Sequence, residues 1–133
     1  MWRHYICSKL FEIGLHGSLP SLLQSFLYER SITVRIQNIY SSPHLVHNGV
    51  PRGEVWSVPL FLIAINDLTN CVTFPLTRRI FADDFSVSLA FFNPKRATRL
   101  LQLTLNKISS WSSARGSRFS DKKSVLVIFR KSH

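Results

Sequence analysis

The pattern of apolar positions predicts two helices in the first quarter of the chain. Residues 2–13 have apolar side chains at the spacing of a helix face, and Gly14 then ends the pattern. A second helix should begin at Ser18 with Pro20 in its first turn, where the missing N–H leaves no helical hydrogen bond unmade. The positions that this second helix should bury are Leu19, Leu22, Leu23, Phe26 and Leu27.

The spacing then changes from helical to alternating. Apolar and polar residues alternate from Ile32 to Ile36, which predicts a half-buried strand. The Ser-Ser-Pro sequence at 41–43 should turn the chain, so that residues 45–47 can pair back onto this strand. Residues 49–53 contain two glycines and a proline and should therefore form a loop.

The next segment is uniformly apolar from Leu60 to Ile65, and periodicity alone does not separate a buried helix from a buried strand. Ser57 could cap a helix, and Pro59 suits its first turn. These two residues favour a helix that ends near Leu68.

The second half of the chain predicts a hairpin, a long helix and a final strand. Short strand-like segments flank Asp83-Asp84, and alternation is clear from Phe85 to Phe91. A helix from about Pro94 to Ala114 should cover one face of the sheet, mainly through Leu101, Leu105 and Ile108. Its whole predicted apolar stripe is Ala97, Leu100, Leu101, Leu105, Ile108 and Trp111, and Gly116 ends it. With a last strand at about 124–129, helices and antiparallel hairpins mix along one domain, which predicts the α+β class.

Composition argues for a folded chain with an affinity for polyanions. Of its 133 residues, 45% are apolar and 18% charged, which is unlike a disordered protein. Seventeen Lys and Arg against seven Asp and Glu give a net charge of +10, which favours nucleic acid before an anionic membrane. Since no basic run exceeds two residues, an ordinary basic surface stays open as an alternative. We expect weak, salt-sensitive binding to RNA and DNA without strong sequence preference.

The cysteines and the apolar segments indicate an intracellular protein. Cys7 and Cys71 are far apart and belong to no Cys/His cluster, so neither a disulfide framework nor a structural zinc site is expected. The longest stretch without strongly polar residues, around 58–65, contains Pro59 and is too short to span a bilayer. The first residues do not form a signal peptide. The expected setting is therefore the reducing interior of the cell, in nucleus or cytoplasm, without membrane association.

Asp83 and Asp84 form the pair with the most chemical content. A tight hairpin turn more naturally uses glycine, and adjacent carboxylates repel each other, more so when buried beside Phe81 and Phe85. A bound Mg²⁺ would remove that conflict, and two such ions can activate a 3′-hydroxyl and stabilise leaving pyrophosphate. An exposed turn with two solvated aspartates explains the pair alone at least as well.

The order and spacing of several segments change that balance. GVPRG at 49–53, PLFLIAINDL at 59–68 and FADD at 81–84 resemble the core of non-LTR retrotransposon reverse transcriptases of the jockey-like type. GSRFSDKKS at 116–124 is similar to a later segment of that family, G-L-x-F-S-x-x-K-T. Residues 2–30 are similar to the helical stretch that follows the family's first catalytic box. The likeness covers essentially the whole chain.

The resemblance implies a polymerase palm-like fold, an antiparallel sheet with helices on one face, and an RNA-directed DNA polymerase activity. It implies Mg²⁺ as the cofactor, with an RNA template, a DNA primer and deoxynucleotides as partners, and it names no protein partner. The roles it implies are metal binding and catalysis for Asp83 and Asp84, proton donation to pyrophosphate for Lys123, and contact with the nucleotide or template for Gly49, Pro51, Arg52, Gly53 and Phe81.

The sequence also departs from the family's pattern. The first box, of AFD type, supplies another metal-binding aspartate and lies directly before the residues that match Trp2, whereas this sequence begins at Met1. Arg52, Glu54 and Trp56 stand where the family usually has Gln, Ser and Leu. We therefore expect residues 1–133 to be a partial palm domain without that box, most of the fingers or the thumb, and inactive alone. A non-catalytic basic nucleic-acid-binding remnant, or a reading frame whose product has no selected role, are the alternatives.

Overall fold

The computed structural model of the chain describes residues 1–129, and this part contains both helices and small antiparallel sheets. The α+β class predicted from the sequence is confirmed. The α-helices are α1 (Arg3–Glu12), α2 (Ser18–Leu27), α3 (Ser57–Ile65) and α4 (Pro94–Ala114), with short 3₁₀ helices at Asn66–Cys71 and Asp121–Lys123. The strands are β1 (Arg30–Ile32), β2 (Arg35–Ile36), β3 (Ile39–Tyr40), β4 (His44–Val46), β5 (Thr77–Phe81) and β6 (Asp84–Ser88).

A first apolar core lies where α1, α2 and α3 meet. Its buried members are Ile6, Leu10, Leu23, Leu27, Leu60 and Ala64. Both helices of the first quarter form as predicted, and Gly14, at φ 82°, ends α1. Leu22, however, is 59% exposed, so its predicted burial is wrong. The other helices contact α2 along one stripe, which is narrower than its run of apolar residues.

A second core joins the 3₁₀ helix at Asn66–Cys71 to α4 and to the β5–β6 sheet. Its buried members are Ile65, Leu68, Val72, Ile108 and Trp111, and Ile80, Phe85 and Val87 of the sheet pack against them. The bounds predicted for α4 are confirmed, as is the burial of Ile108. Leu105 is 54% exposed, because the buried face of α4 runs through Thr104 and Ser112 instead.

The prediction of one half-buried strand from Ile32 to Ile36 is wrong, because the segment is neither a single strand nor half-buried. The chain breaks there into β1, which pairs with β4, and β2, which pairs with β3. Ile32, Val34 and Ile36 are 54–70% exposed, because no helix of the described chain covers this region. The segment after residues 41–43 does pair back, but residues 44–46 pair with residues 30–32 and not with the predicted 32–36 strand.

The start of α3 differs from the predicted cap. Ser57 is the first residue of the helix rather than its cap, and its side chain makes no capping hydrogen bond. Its hydroxyl is buried without a partner. Helical structure also continues past Leu68 to Cys71, in the narrower 3₁₀ form.

The prediction of a strand at about 124–129 is wrong, and all six of these residues lie in the part of the chain that the structure describes. Residues 124–129 belong to no strand, and every one of them is exposed. β-Propensity alone did not make a strand, since a strand also needs a partner whose backbone is free to pair. Across the described part of the chain, no helix is both long and apolar enough to cross a membrane.

Candidate active site

Asp83 and Asp84 lie at the tip of the β5–β6 hairpin, as the sequence predicted. The strands pair antiparallel from Thr77↔Ser88 to Phe81↔Asp84, which leaves Ala82 and Asp83 as the turn. Ala82 takes a positive φ of 51°, a conformation that is uncommon for a residue with a Cβ. Asp83 therefore lies in the turn and Asp84 is the first residue of β6, so two consecutive carboxylate residues stand at the end of a five-residue ladder.

The expectation that the two carboxylates are buried, which strengthened the case for a bound cation, is wrong. Asp83 and Asp84 are both exposed, and Phe81 beside them is 83% exposed. Water therefore screens the repulsion between the two carboxylates. The inward residues Ile80, Phe85 and Val87 anchor the hairpin, while its tip projects into solvent.

The donor set at this tip fits a weakly held cation better than a two-ion centre. Mg²⁺ commonly uses one or two carboxylates and completes its shell with water and phosphate oxygens, which Asp83 and Asp84 could support. A pair of ions needs ligands from more than one chain segment. Among residues 1–129, no group of three or more His, Cys, Asp or Glu side chains could hold a metal.

The loop at 49–53 is confirmed as a loop and is fixed at one end. The Gly49 N–H donates to the Met1 carbonyl at 3.0 Å, and the Arg30 guanidinium donates to the Gly49 carbonyl at 2.7 Å. Val50 packs against the first core, so Gly49, at φ 78°, is held where a Cβ would strain the backbone. Toward the other end, Arg52 and Gly53 are exposed and Pro51 is half-buried.

Lys123 lies apart from these residues in the hydrogen-bond network. It is exposed and ends the short 3₁₀ helix at Asp121–Lys123. In the part of the chain that the structure describes, no ion pair links Lys123 or Arg52 to Asp83 or Asp84. The structure brings Asp83, Asp84 and Phe81 together at one tip, and shows no such contact with the loop or the lysine.

Asp67 organises a partly buried polar cluster that joins several elements of the described chain, although the sequence suggested no role for it. Its carboxylate accepts hydrogen bonds from the Tyr5 hydroxyl at 2.7 Å, the Trp111 indole N–H at 2.9 Å and the Arg115 guanidinium at 3.0 Å. Lys9 adds an ion pair at 3.4 Å. The cluster thus connects α1, the 3₁₀ helix at Asn66–Cys71 and the end of α4. The signal in the sequence was a carboxylate placed two residues after the wholly apolar run of residues 60–65.

The surroundings of Asp67 keep it ionised. Burial by itself would raise the pKa of this carboxyl, but the hydrogen bonds from Tyr5 and Trp111 and the charge of Arg115 outweigh burial and lower it below 3.8. The guanidinium of Arg115 also lies over the rings of Tyr5 and Trp111, at 4.9 and 5.1 Å from their centroids. This arrangement stabilises the junction of the two cores, since Tyr5 packs against the first and Trp111 belongs to the second.

Comparison with known proteins gives one relative by sequence. The chain is 30% identical over 120 residues to a protein described as a probable RNA-directed DNA polymerase from transposon BS of Drosophila melanogaster. The match covers 84% of this chain and 13% of that protein, so the chain spans about an eighth of the length of its relative. No protein-family model and no solved structure matches the chain. The sequence is therefore related to a region of a transposon reverse transcriptase.

Proposed function

We propose that this chain corresponds to the palm region of a non-LTR, jockey-like retrotransposon reverse transcriptase, and that it does not polymerise DNA by itself. The observation that carries the proposal is the Asp83-Asp84 pair at the tip of an antiparallel hairpin. It occurs in a chain related over most of its length to a transposon RNA-directed DNA polymerase. Template RNA, primer DNA and deoxynucleotides are the substrates this assignment implies.

In this proposal the hairpin tip binds one Mg²⁺ through Asp83 and Asp84. When bound, the ion would supply charge for a triphosphate that also contacts the loop at 49–53. The hairpin would position that ion, because Ile80 and Phe85 pack against the second core and fix the hairpin there. The carboxylates of the tip extend beyond this core into solvent. Phe81, exposed at the same tip, offers a ring against which a base or sugar can pack.

The lack of activity follows from the ligand count and from the altered loop. Metal-assisted phosphoryl transfer with two ions about 4 Å apart needs carboxylates from separate segments, and the described residues supply them from one. Arg52, Glu54 and the half-exposed indole of Trp56 also occupy the loop region where the related family has smaller or uncharged residues.

Two measurements on the 133-residue chain test the proposal. In a primer-extension assay with an RNA template, Mg²⁺ and deoxynucleotides, we expect no extension. Mn²⁺ added as a paramagnetic probe should broaden NMR signals of the β5–β6 tip, and Asp83→Asn should remove that broadening. Asp121→Asn, which changes an exposed carboxylate elsewhere, is the matched control and should leave it intact. Template-dependent extension that Asp83→Asn abolishes would contradict the proposed inactivity, and no broadening at the tip would contradict the metal site.

A second candidate is a non-catalytic nucleic-acid-binding module, which the net charge of +10 favours. Such a module would bind RNA and DNA through phosphate contacts, with an affinity that falls steeply with salt. Binding that is identical with Mg²⁺ and with EDTA, together with unchanged affinity in Asp83→Asn, would favour this candidate over a metal-dependent polymerase region.

A further inference from the structure

We propose that the start of α4 is a second nucleic-acid-binding surface, which takes single-stranded chains. This surface, the α4 basic face, consists of Phe92, Lys95, Arg96 and Arg99. It goes beyond the proposed polymerase site and shares with it only the assumption of a nucleic-acid ligand. The hairpin tip lies at the other end of β6, whose Asp84–Ser88 span is about 13 Å at ~3.3 Å per residue.

Along the chain, α4 and its flanking residues carry only positive charges. From Phe85 to Ser120 the chain has no Asp or Glu, and its cations there are Lys95, Arg96, Arg99, Lys107, Arg115 and Arg118. Among residues 1–129, the three cations of the α4 basic face form no ion pair. An anionic ligand could therefore approach this face without first displacing a carboxylate from an ion pair.

The position of these cations is unfavourable for the helix itself. The first turn of α4 has no acidic residue, and Lys95 and Arg96 lie there instead, at the positive end of the helix dipole. Acidic residues stabilise that end of a helix and cations do not. Helix stability therefore does not explain why Lys95 and Arg96 lie in the first turn. Binding of an external anion by these exposed cations does explain it.

The helix holds the cations on one side. Lys95 and Arg99 are one turn apart and Arg96 lies beside them, all exposed. The opposite side, with Ala97, is buried. Asn93 caps the helix by accepting a hydrogen bond from the Arg96 N–H, so the first turn is well defined. A backbone of successive phosphates can thus meet several fixed charges together.

Phe92 makes the surface suitable for unpaired bases. Its side chain is as exposed as in an extended peptide, at 108%, and it lies three residues before Lys95. Proteins that bind single strands combine cations along the backbone with aromatic rings on which bases stack. Bases within a duplex are already stacked on each other and would leave Phe92 without a role. The combination therefore points to single-stranded RNA or DNA.

Fluorescence anisotropy with a labelled oligo-uridine, an oligo-thymidine and a DNA duplex tests this surface on the whole chain. All titrations contain EDTA, so that failure of the metal site cannot affect the result. Phe92→Ala should weaken single-strand binding by about tenfold, the order of one lost base stack, and should leave duplex binding and the salt slope unchanged. Equal affinity of Phe92→Ala and the parent chain for both single strands would overturn the proposal.

A charge-matched pair of variants separates a site from general attraction. Lys95→Gln with Arg99→Gln should reduce the slope of log affinity against log salt by about 1.4, since each phosphate contact contributes about 0.7 for single strands. Arg118→Gln with Lys122→Gln removes the same charge from exposed positions elsewhere and should change the slope much less. Equal changes in the two double variants would overturn the proposal, and circular dichroism checks that α4 remains folded in each.

Discussion

Gly116 is the residue at which backbone conformation and close packing coincide. It ends α4 at φ 62°, and a Cβ added there would lie 2.6 Å from the indole of Trp2. The Met1 amino group donates to its carbonyl, and the Trp2 N–H donates to the Arg115 carbonyl at 3.0 Å. The first residues of the chain are thereby joined to the end of its longest helix.

Gly116→Ala should therefore cost more stability than a left-handed position alone explains. We expect a loss of about 1–2 kcal/mol for the backbone and ~1–3 kcal/mol more for the clash with Trp2. Gly14→Ala is the control, since Gly14 also ends a helix at positive φ but has open space around its Cα. Urea unfolding of both variants measures the difference, and equal losses would contradict a tight contact between Gly116 and Trp2.

The lowered pKa of the Asp67 carboxyl predicts that the free energy of unfolding depends on pH. Because the folded protein lowers the pKa of this carboxyl, its stabilising effect is present above the ordinary value of 3.8 and is lost as pH falls through the lower folded value. Asp67→Asn should destabilise the chain at neutral pH by about 2 kcal/mol, since charged hydrogen bonds are lost. The gap from the parent chain should then narrow in acid.

Thermal unfolding between pH 2 and pH 7 tests this expectation, with those pH values bracketing the titration range of a carboxyl. Asp121→Asn, at an exposed carboxylate, should be close to neutral throughout. A constant gap between Asp67→Asn and the parent chain across the whole range would show that the ionisation of Asp67 does not stabilise the fold.

At the scale of the elements, two helix starts contrast in how their polar residues are used. Asn93 caps α4 through its side chain, whereas the Ser57 hydroxyl is buried in α3 without a partner. Sequence patterns favoured Ser57 as a cap, because they show residue types but not which residue turns its oxygen toward a free N–H. Only the path of the 54–56 turn into α3 decided this.

The same contrast predicts opposite effects of alanine at the two positions. Asn93→Ala should destabilise the chain by about 1 kcal/mol, the usual worth of a cap. Ser57→Ala should be neutral or stabilising by up to about 1 kcal/mol, because it removes a buried hydroxyl that lacks a partner. Chemical unfolding of both variants measures this, and a clear loss on Ser57→Ala would mean that the hydroxyl is hydrogen-bonded after all.

For the whole molecule, the distribution of exposed apolar residues is the property with the largest practical consequence. Val125 to Phe129 are 55–91% exposed, carry no charge and have high β-propensity without proline. Segments of this kind pair readily between copies. The net charge of +10 opposes self-association, but that repulsion is screened at high salt.

Val127→Lys should therefore reduce aggregation at high salt while changing stability by less than about 0.5 kcal/mol, as expected for an exposed position. Leu103→Lys is the matched control, since it adds the same charge at a half-exposed leucine of α4. Light scattering at increasing salt compares the two variants, and equal protection by both would attribute aggregation to net charge rather than to the 125–129 segment.

The sequence by itself determined the helices and the β5–β6 hairpin, and it indicated a resemblance to reverse transcriptases. Apolar spacing placed α1, α2 and α4 within a residue or two, because a helix that buries one face needs apolar residues every three or four positions. The tip at Asp83-Asp84 followed from alternation on its C-terminal side. The order of the loop at 49–53 and the 81–84 segment indicated a reverse transcriptase, and the relative from Drosophila melanogaster agrees with that at the coarser level of a related region.

Only the tertiary structure decided which apolar residues are buried and which polar groups meet. Leu22 and Leu105 fit their helical stripes but face solvent, because the neighbouring elements cover a narrower arc than the stripes span. Residues 32–36 have a strand-like sequence, but no helix of the described chain covers them. Residues 124–129 also have a strand-like sequence, but they pair with no strand of the described chain. Asp67 meets Tyr5, Trp111 and Arg115 across large separations in sequence, and local patterns contain no information on such contacts.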